Sequence, residues 1–307
     1  MKIYFSNVNF SSNSGPNSFA SRLANEFEKL GNNVVKSHKE EYDSFLCFIE
    51  PDVIPRSGSK FIHRLDGIWF KPDQFKTHNK NIKWAYDNCD HVVWQSEFDK
   101  NMTCHHWGDR KGSVIHNGIN FKNVNKDTEF TNVKDLKSKM TGRLFVSSAS
   151  WHRQKRLKEN IEFFLKNRND DDLMIVLGKN PDAKINHPWL KQIILYTGEL
   201  NHEQCLETYR YCDWMIHLAW LDHCPNVVVE ALSQGCPVIC TDSGGTKEIV
   251  KNNGIIIPES KPYLFELTDY DNPYKLDIPK INLLKPKIDC DYLKIEEVAK
   301  KYLEIMK

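Results

Sequence analysis

The chain has 307 residues, of which 40% are hydrophobic, 11% aromatic and 27% charged. That composition excludes a disordered chain, and the length exceeds one ordinary core, so two domains or one large α/β unit are expected. Lys plus Arg at 42 against Asp plus Glu at 41 leave a formal net charge of +1, so no global field favours nucleic acid or anionic lipid and only local basic patches remain. The nine cysteines include no Cys-x-x-Cys pair, which points to neither a zinc site nor a disulfide framework. With no signal-peptide core behind MKIYFSNVNF and no apolar run of ~20 residues, no membrane span is predicted and a reducing cytoplasm is the expected setting.

The first elements in chain order read as strand, loop and helix. Lys2 to Val8 is a short apolar run, SSNSGPNS a polar loop, and Phe19, Leu23, Phe27 and Leu30 recur at helical spacing before Gly31. Val34 and Val35 then resume a strand, so the opening is a βαβ unit, whose parallel pairing requires a right-handed crossover. Further apolar segments follow at Ser44 to Ile49, Lys60 to Ile62, His91 to Gln95 and Ser113 to Ile115, several of them separated by helical stretches. From Phe121 to Met140 the chain turns polar without clear periodicity, as expected of an interdomain connection.

A second α/β series follows. Strands are predicted at Arg143 to Ser148, Leu173 to Leu177, Ile193 to Tyr196, Trp214 to Leu218 and Pro237 to Thr241, with helices at Leu157 to Leu165, Glu203 to Cys212 and Asn226 to Ser233. Such alternation implies a parallel sheet covered on both faces, with ligands bound outside the carboxyl ends of its strands. The expected division is an N-terminal Rossmann-like domain over residues 1–122, a C-terminal one over 123–292, and a terminal helix around 293–307 packing back on the first. With two such sheets, the cleft between them is the expected site.

The densest chemistry lies in DHCPNVVVEALSQGCPVICTDSGGTKEIV, from Asp222 to Val250. A helix opening near Asn226 and closing at Gly235 puts Glu230 on its first or second turn. Backbone N–H groups at its start, from Asn226 and Val227, and the positive end of its dipole favour a bound anion such as a diphosphate. Carboxylates nearby accept hydrogen bonds from ribose or hexose hydroxyls, each worth about 1.5–3 kcal/mol. Gly244 and Gly245 permit close backbone approach to a ligand.

These residues resemble the retaining glycosyltransferases of family four, which have the GT-B fold. That family shows a Glu, seven intervening residues and a second Glu-Ala, then a Gly-x-Pro-Val strand and a Gly-Gly-x-x-Glu turn. Here Glu230-Ala231, Gly235-Cys236-Pro237-Val238 and Gly244-Gly245-Thr246-Lys247-Glu248 follow in that order, with Asp222 in the first acidic place. Val114-Ile115-His116-Asn117-Gly118-Ile119-Asn120 is similar to the segment that ends the family's N-terminal domain, and SWHRQKRLKENIEFF to its diphosphate-binding turn. The resemblance implies that Glu230 binds the nucleotide ribose, Asp222 the donor sugar, Lys155 the diphosphate with Arg153 as second cation, and the loop at Gly15 the donor and acceptor. It also aligns His63 or Asp66 with the position near the reacting carbon. Asp222 is shorter than Glu by about 1.5 Å, and Pro225 in its loop offers no N–H.

The implied activity is sugar transfer from a nucleoside diphosphate sugar to a hydroxyl acceptor, a glycan or lipid-linked glycan, with retention and with neither metal nor cofactor. A non-catalytic nucleotide-sugar-binding module and a DNA-base glycosyltransferase are the alternatives. The base pocket is expected from loops near Leu177 to Lys179 and Tyr196 to Leu200. Ordinary structural readings are kept for several features. His63, His116, His217 and His223 have no metal spacing, and Asp170-Asp171-Asp172 reads as a solvated loop. Lys155, Arg156 and Lys158 form a charge run whose usual place is a solvated face, from which Lys155 alone stands out. The aromatics Trp69, Phe70, Phe75, Trp84 and Tyr86 among Lys71, Lys76, Lys80 and Lys83 read as helix packing, with an acceptor patch or peripheral membrane contact as the alternative.

Overall fold

In the computed structural model, which describes residues 1–12, 14–121, 131–179 and 188–307, the chain separates into two units. The first comprises Met1–Asn120, Leu264–Asp269 and Asp291–Lys307, and the second Phe121–Tyr263 and Tyr270–Cys290.

The first unit is built on β1 (Lys2–Ser6), β2 (Asn33–Val35), β3 (Ser44–Phe48), β4 (Lys60–Leu65), β5 (His91–Trp94) and β6 (Gly112–Val114). They pair in the order β2-β1-β3-β4-β5-β6, every pair parallel. Strands buried on both faces read as continuous apolar runs, as FLCF in β3 does. The order reverses between β1 and β3, the topological switch point at which doubly wound sheets open a crevice. Helix α1 (Gly15–Lys29) begins with Pro16 in its first turn, where the missing N–H costs nothing, and buries Phe19, Leu23 and Phe27 on one stripe. Three more helices follow, α2 (Phe75–His78), α3 (Lys80–Asn88) and α4 (Glu97–Trp107). The terminal helix Ile295–Met306 packs on α1, with the Phe19 and Tyr302 rings 6.3 Å apart. The same helix also lies close against Gly118, where a Cβ would be 2.9 Å from Val298 Cγ2 and 3.1 Å from Ile295 Cα.

The second unit contains α5 (Thr131–Lys139), β7 (Leu144–Ser148), α6 (Leu157–Asn167), β8 (Leu173–Leu177), β9 (Ile194–Gly198) and α7 (His202–Tyr211). It continues with β10 (Trp214–His217), α8 (Asn226–Ser233), β11 (Val238–Thr241), α9 (Thr246–Val250) and β12 (Gly254–Ile257), and the terminal helix of the first unit is then α10. Its sheet is also parallel throughout, in the order β12-β11-β10-β7-β8-β9. The switch point here lies between β7 and β10. Phe145, Phe164, Met174, Trp214, Ile216 and Ile239 belong to its core.

The structure adds to or departs from the sequence reading at three places. Within the polar stretch Phe121 to Met140, where the sequence shows no clear periodicity, 131–139 form α5, which buries Val133; a helix with so narrow an apolar face leaves little periodicity to read. The expected boundary at 122/123 lies outside the described residues. Asp172 is not solvated: it is fully buried, and Arg143 reaches it through Nη2 at 2.6 Å and through its backbone N–H at 2.6 Å. Finally, the segment after β12 carries no periodic signal, yet it is ordered. Within the second unit its residues 270–290 run without regular structure and are tied down by side chains. Asn167 donates to the Pro279 carbonyl at 3.0 Å and accepts from the Ile281 N–H at 2.8 Å. Among the described residues no helix is long and apolar enough to cross a membrane.

Candidate functional site

The carboxyl ends of β7 and β10 flank the switch point of the second unit, and two loops leave from them. After β7 the chain reaches a short 3-10 turn at Arg153–Lys155; after β10 it runs from Leu218 to Pro225, the residue that precedes α8. The Trp220 N–H donates to the Gln154 carbonyl at 2.8 Å and joins the two loops. Asn160 of α6 braces them from below, donating to Ser147 Oγ at 3.0 Å and to the Lys155 carbonyl at 3.3 Å, and accepting from the Leu218 N–H at 2.9 Å.

This bracing brings Lys155 and Asp222 together. Lys155 Nζ donates to Asp222 Oδ2 at 2.5 Å, and His217 Nε2, at the end of β10, lies 3.2 Å from the same oxygen. The Asp222 side chain keeps 11% of its surface exposed. Burial alone would raise its carboxyl, but the Lys155 charge and the His217 hydrogen bond hold it well below the usual carboxylate range. The carboxylate is therefore ionised, half-sealed and fixed in place.

The Gly244-Gly245 turn closes against the backbone of Asp222. The Gly245 N–H donates to the Asp222 carbonyl at 2.7 Å, and a Cβ on Gly244, whose φ is +66°, would lie 2.4 Å from that carbonyl oxygen and 2.7 Å from the Asp222 nitrogen. Only glycine fits there. Asn226 and Val227 open α8 half-buried, so the helix start and its partial positive charge follow directly on the Asp222 loop. Glu230, one turn along α8, is buried with its Oε1 3.5 Å from His202 Nδ1.

Arg153, expected as a second cation, is exposed and its Nη1 donates to Asn272 Oδ1 at 3.3 Å; it makes no hydrogen bond to Asp222. Its neighbour Arg156, assigned from sequence to a solvated charge run, is buried, which corrects that reading. It adopts the left-handed conformation, φ +51°, and donates to Glu259 at 2.6 and 3.1 Å and to the Tyr274 carbonyl at 2.7 Å. Glu259 also accepts from Ser243 Oγ at 3.0 Å, one residue before Gly244. Arg156, Glu259 and Ser243 thus support the turn that packs on Asp222.

The remaining candidates belong to the first unit. Gly15 is the exposed first residue of α1, and residue 13 of the loop before it lies outside the described residues. His63 is fully buried on β4, its Nε2–H donating to the Ile49 carbonyl at 2.7 Å, and burial lowers its pKa to about 4. A neutral imidazole sealed in the sheet cannot touch a ligand, so of the aligned pair His63 and Asp66 only Asp66 is accessible, with 13% of its side chain exposed. Asp66 pairs with Arg64, which lies over the Phe19 ring and whose Nη2 donates to Asn117 Oδ1 at 2.7 Å. Among residues that sequence reasoning missed, His217 carried one available signal: an imidazole ending the apolar run WMIH, five residues before Asp222. Arg156 and Glu259, separated by 103 positions, carried none.

Residues 128–265 match the family model described as glycosyl transferases group 1. No curated protein matches the sequence. Among solved structures, HepE of Anabaena in complex with UDP-glucose superposes with a TM-score of 0.62 at 16% identity, covering 85% of this chain and 86% of that one. A glycosyltransferase from Rickettsia africae gives 0.62 at 16% identity, covering 100% and 97%. WaaG, a glycosyltransferase involved in lipopolysaccharide biosynthesis, gives 0.61 at 13% identity, covering 85% and 86%. With two parallel six-stranded sheets and these likenesses, the chain has an α/β GT-B fold.

Proposed function

We propose that this glycosyltransferase, with its group 1 domain at residues 128–265, moves a sugar from a uridine diphosphate sugar to a hydroxyl of a glycan or lipid-linked glycan, with retention and without a metal ion. The observation that carries the reading is the meeting of Lys155 and Asp222 at the switch point of the second sheet, 2.5 Å apart and backed by the Gly244 turn. Crevices at such points receive nucleotides. HepE, of the same fold, binds UDP-glucose, which supports uridine as the base, and WaaG acts in lipopolysaccharide biosynthesis, which supports a glycan acceptor.

In this reading the diphosphate lies against the start of α8 and Lys155, with Asn226 and Val227 supplying backbone donors. Glu230 accepts hydrogen bonds from the ribose, Asp222 from the sugar, and Gly244 and Gly245 let the backbone come close. The acceptor oxygen attacks the anomeric carbon on the face from which the diphosphate leaves. The bond from that carbon to the diphosphate oxygen breaks, the new C–O bond forms, and the acceptor proton passes to a diphosphate oxygen. Preorganised positive charge from Lys155 and the helix start stabilises the departing group, so no protein nucleophile is required. Arg153, whose Nη1 meets Asn272, is the second cation of this reading.

A non-catalytic nucleotide-sugar-binding module is the second reading, favoured by the short Asp222 in the first acidic place and by Pro225, which brings no N–H to its loop. Release of UDP from UDP-glucose in the presence of excess chelator, with the anomeric configuration of the product read by NMR, separates the two. Glu230→Ala is expected to lower kcat/KM about tenfold to a hundredfold, the loss of one charge-assisted hydrogen bond. Unchanged turnover in that variant would remove the ribose assignment.

A further inference from the structure

Two donors converge on one oxygen of Asp222. Lys155 Nζ and His217 Nε2 both lie on Oδ2, at 2.5 and 3.2 Å, and Oδ1 takes no hydrogen bond from the described residues. The donors differ in freedom. Lys155 sits on a loop at the end of a flexible stem, with 19% of its side chain exposed. His217 is 3% exposed and fixed on β10, paired in register with Cys240 of β11. An ionised carboxylate can only accept a hydrogen bond, so His217 must carry its proton on Nε2. The imidazole lies behind Asp222 within the sheet layer, too buried to reach a ligand itself.

We propose that His217 is a positioning residue for sugar recognition: it anchors Oδ2 of Asp222, so that Lys155 can turn to the diphosphate while Oδ1 receives a hydroxyl of the transferred sugar. The inference rests on the donor reading above. A carboxylate this enclosed cannot give up its cation without another donor in place, because an unpartnered buried charge is strongly disfavoured. His217 supplies that donor, and supplies it only at Oδ2, which aims the other oxygen outward. The short Asp side chain gains a fixed direction that no surface residue would give it.

The experiment compares UDP and UDP-glucose binding by calorimetry in wild type, His217→Leu and His217→Asn, with thermal unfolding as a control for folding. In wild type, UDP-glucose should bind more tightly than UDP, and the ratio measures sugar recognition. His217→Leu should weaken UDP binding, because Lys155 then stays on Asp222, and weaken UDP-glucose binding more, so that the sugar-dependent gain and kcat/KM fall about tenfold to a hundredfold. His217→Asn, which keeps an N–H donor, should recover part of the loss. A wild-type ratio in a folded His217→Leu protein overturns the proposal while leaving the donor reading intact, as does an equal loss for UDP and UDP-glucose. If wild type binds neither UDP nor UDP-glucose, both fall together.

Discussion

Gly244 faces the backbone of Asp222 so closely that a methyl group at its Cα would lie 2.4 Å from the Asp222 carbonyl oxygen. Two penalties coincide there, the left-handed φ of +66° and the overlap with main chain that cannot turn aside. Gly244→Ala is therefore expected to cost about 1–3 kcal/mol of stability and to weaken UDP-glucose binding by displacing Asp222. Gly235, also at positive φ but with open space where a Cβ would stand, is the control. Gly235→Ala should carry the conformational cost alone, with binding retained. Chemical denaturation and calorimetry of the two variants check the contrast.

Asp222 also makes stability depend on acid. Its folded carboxyl lies below the ordinary value of 3.8 because Lys155 and His217 outweigh the burial that opposes them. As pH falls through the unfolded value, the unfolded chain takes up a proton that the folded chain refuses. The contribution is thus fully present above about pH 5 and is lost below it. Asp222→Asn should flatten the acid limb of a stability curve recorded between pH 6 and pH 3, and an unchanged slope would show that the ion pair contributes nothing to folding.

The site was legible in proportion to how local its signals are. Trp214–His217 and α8 follow the sequence pattern almost to the residue, because an apolar run, a helical stripe and Gly235 at the helix end are all contiguous in sequence. The Asp222 and Gly244 pair also falls within one segment. Arg156 does not: its left-handed backbone and its partner Glu259 are set by tertiary contact 103 positions away, and its neighbours Lys155 and Lys158 disguise it as surface charge. Asp172 is hidden for the same reason, since nothing in three consecutive acids reveals that Arg143 seals one of them. The irregular run 270–290 lacks period and relies on side-chain clamps such as Asn167.

Arg156 and Glu259 offer a direct test of that buried pair. Their side chains are 0% and 4% exposed, so removing either leaves an uncompensated charge. Arg156→Met and Glu259→Leu are each expected to destabilise by about 3–5 kcal/mol, whereas the two combined should cost much less than the sum. Urea unfolding of the two singles and the double measures the coupling. Additive losses would mean that the two residues act separately.

His63 makes the opposite prediction to a catalytic histidine. Its ordinary value of 6.5 is lowered to about 4 because burial disfavours the charged ring more than the Ile49 carbonyl favours it. Below pH 6.5 the unfolded chain gains a proton that the folded chain does not take until about pH 4, so stability is full above 6.5 and is lost as pH falls through that window. Between about pH 7.5 and pH 5 the loss should reach about 1–2 kcal/mol. His63→Gln, which removes the titrating group and keeps an N–H donor, should abolish that part of the pH dependence at whatever baseline stability it has. If His63 instead acted on substrate, the variant would lose turnover in proportion far beyond its loss of folded protein. Because the residue is fully buried, turnover per folded molecule is expected to stay within a few-fold of wild type, and denaturation curves at the two pH values, measured alongside UDP release, decide between the roles.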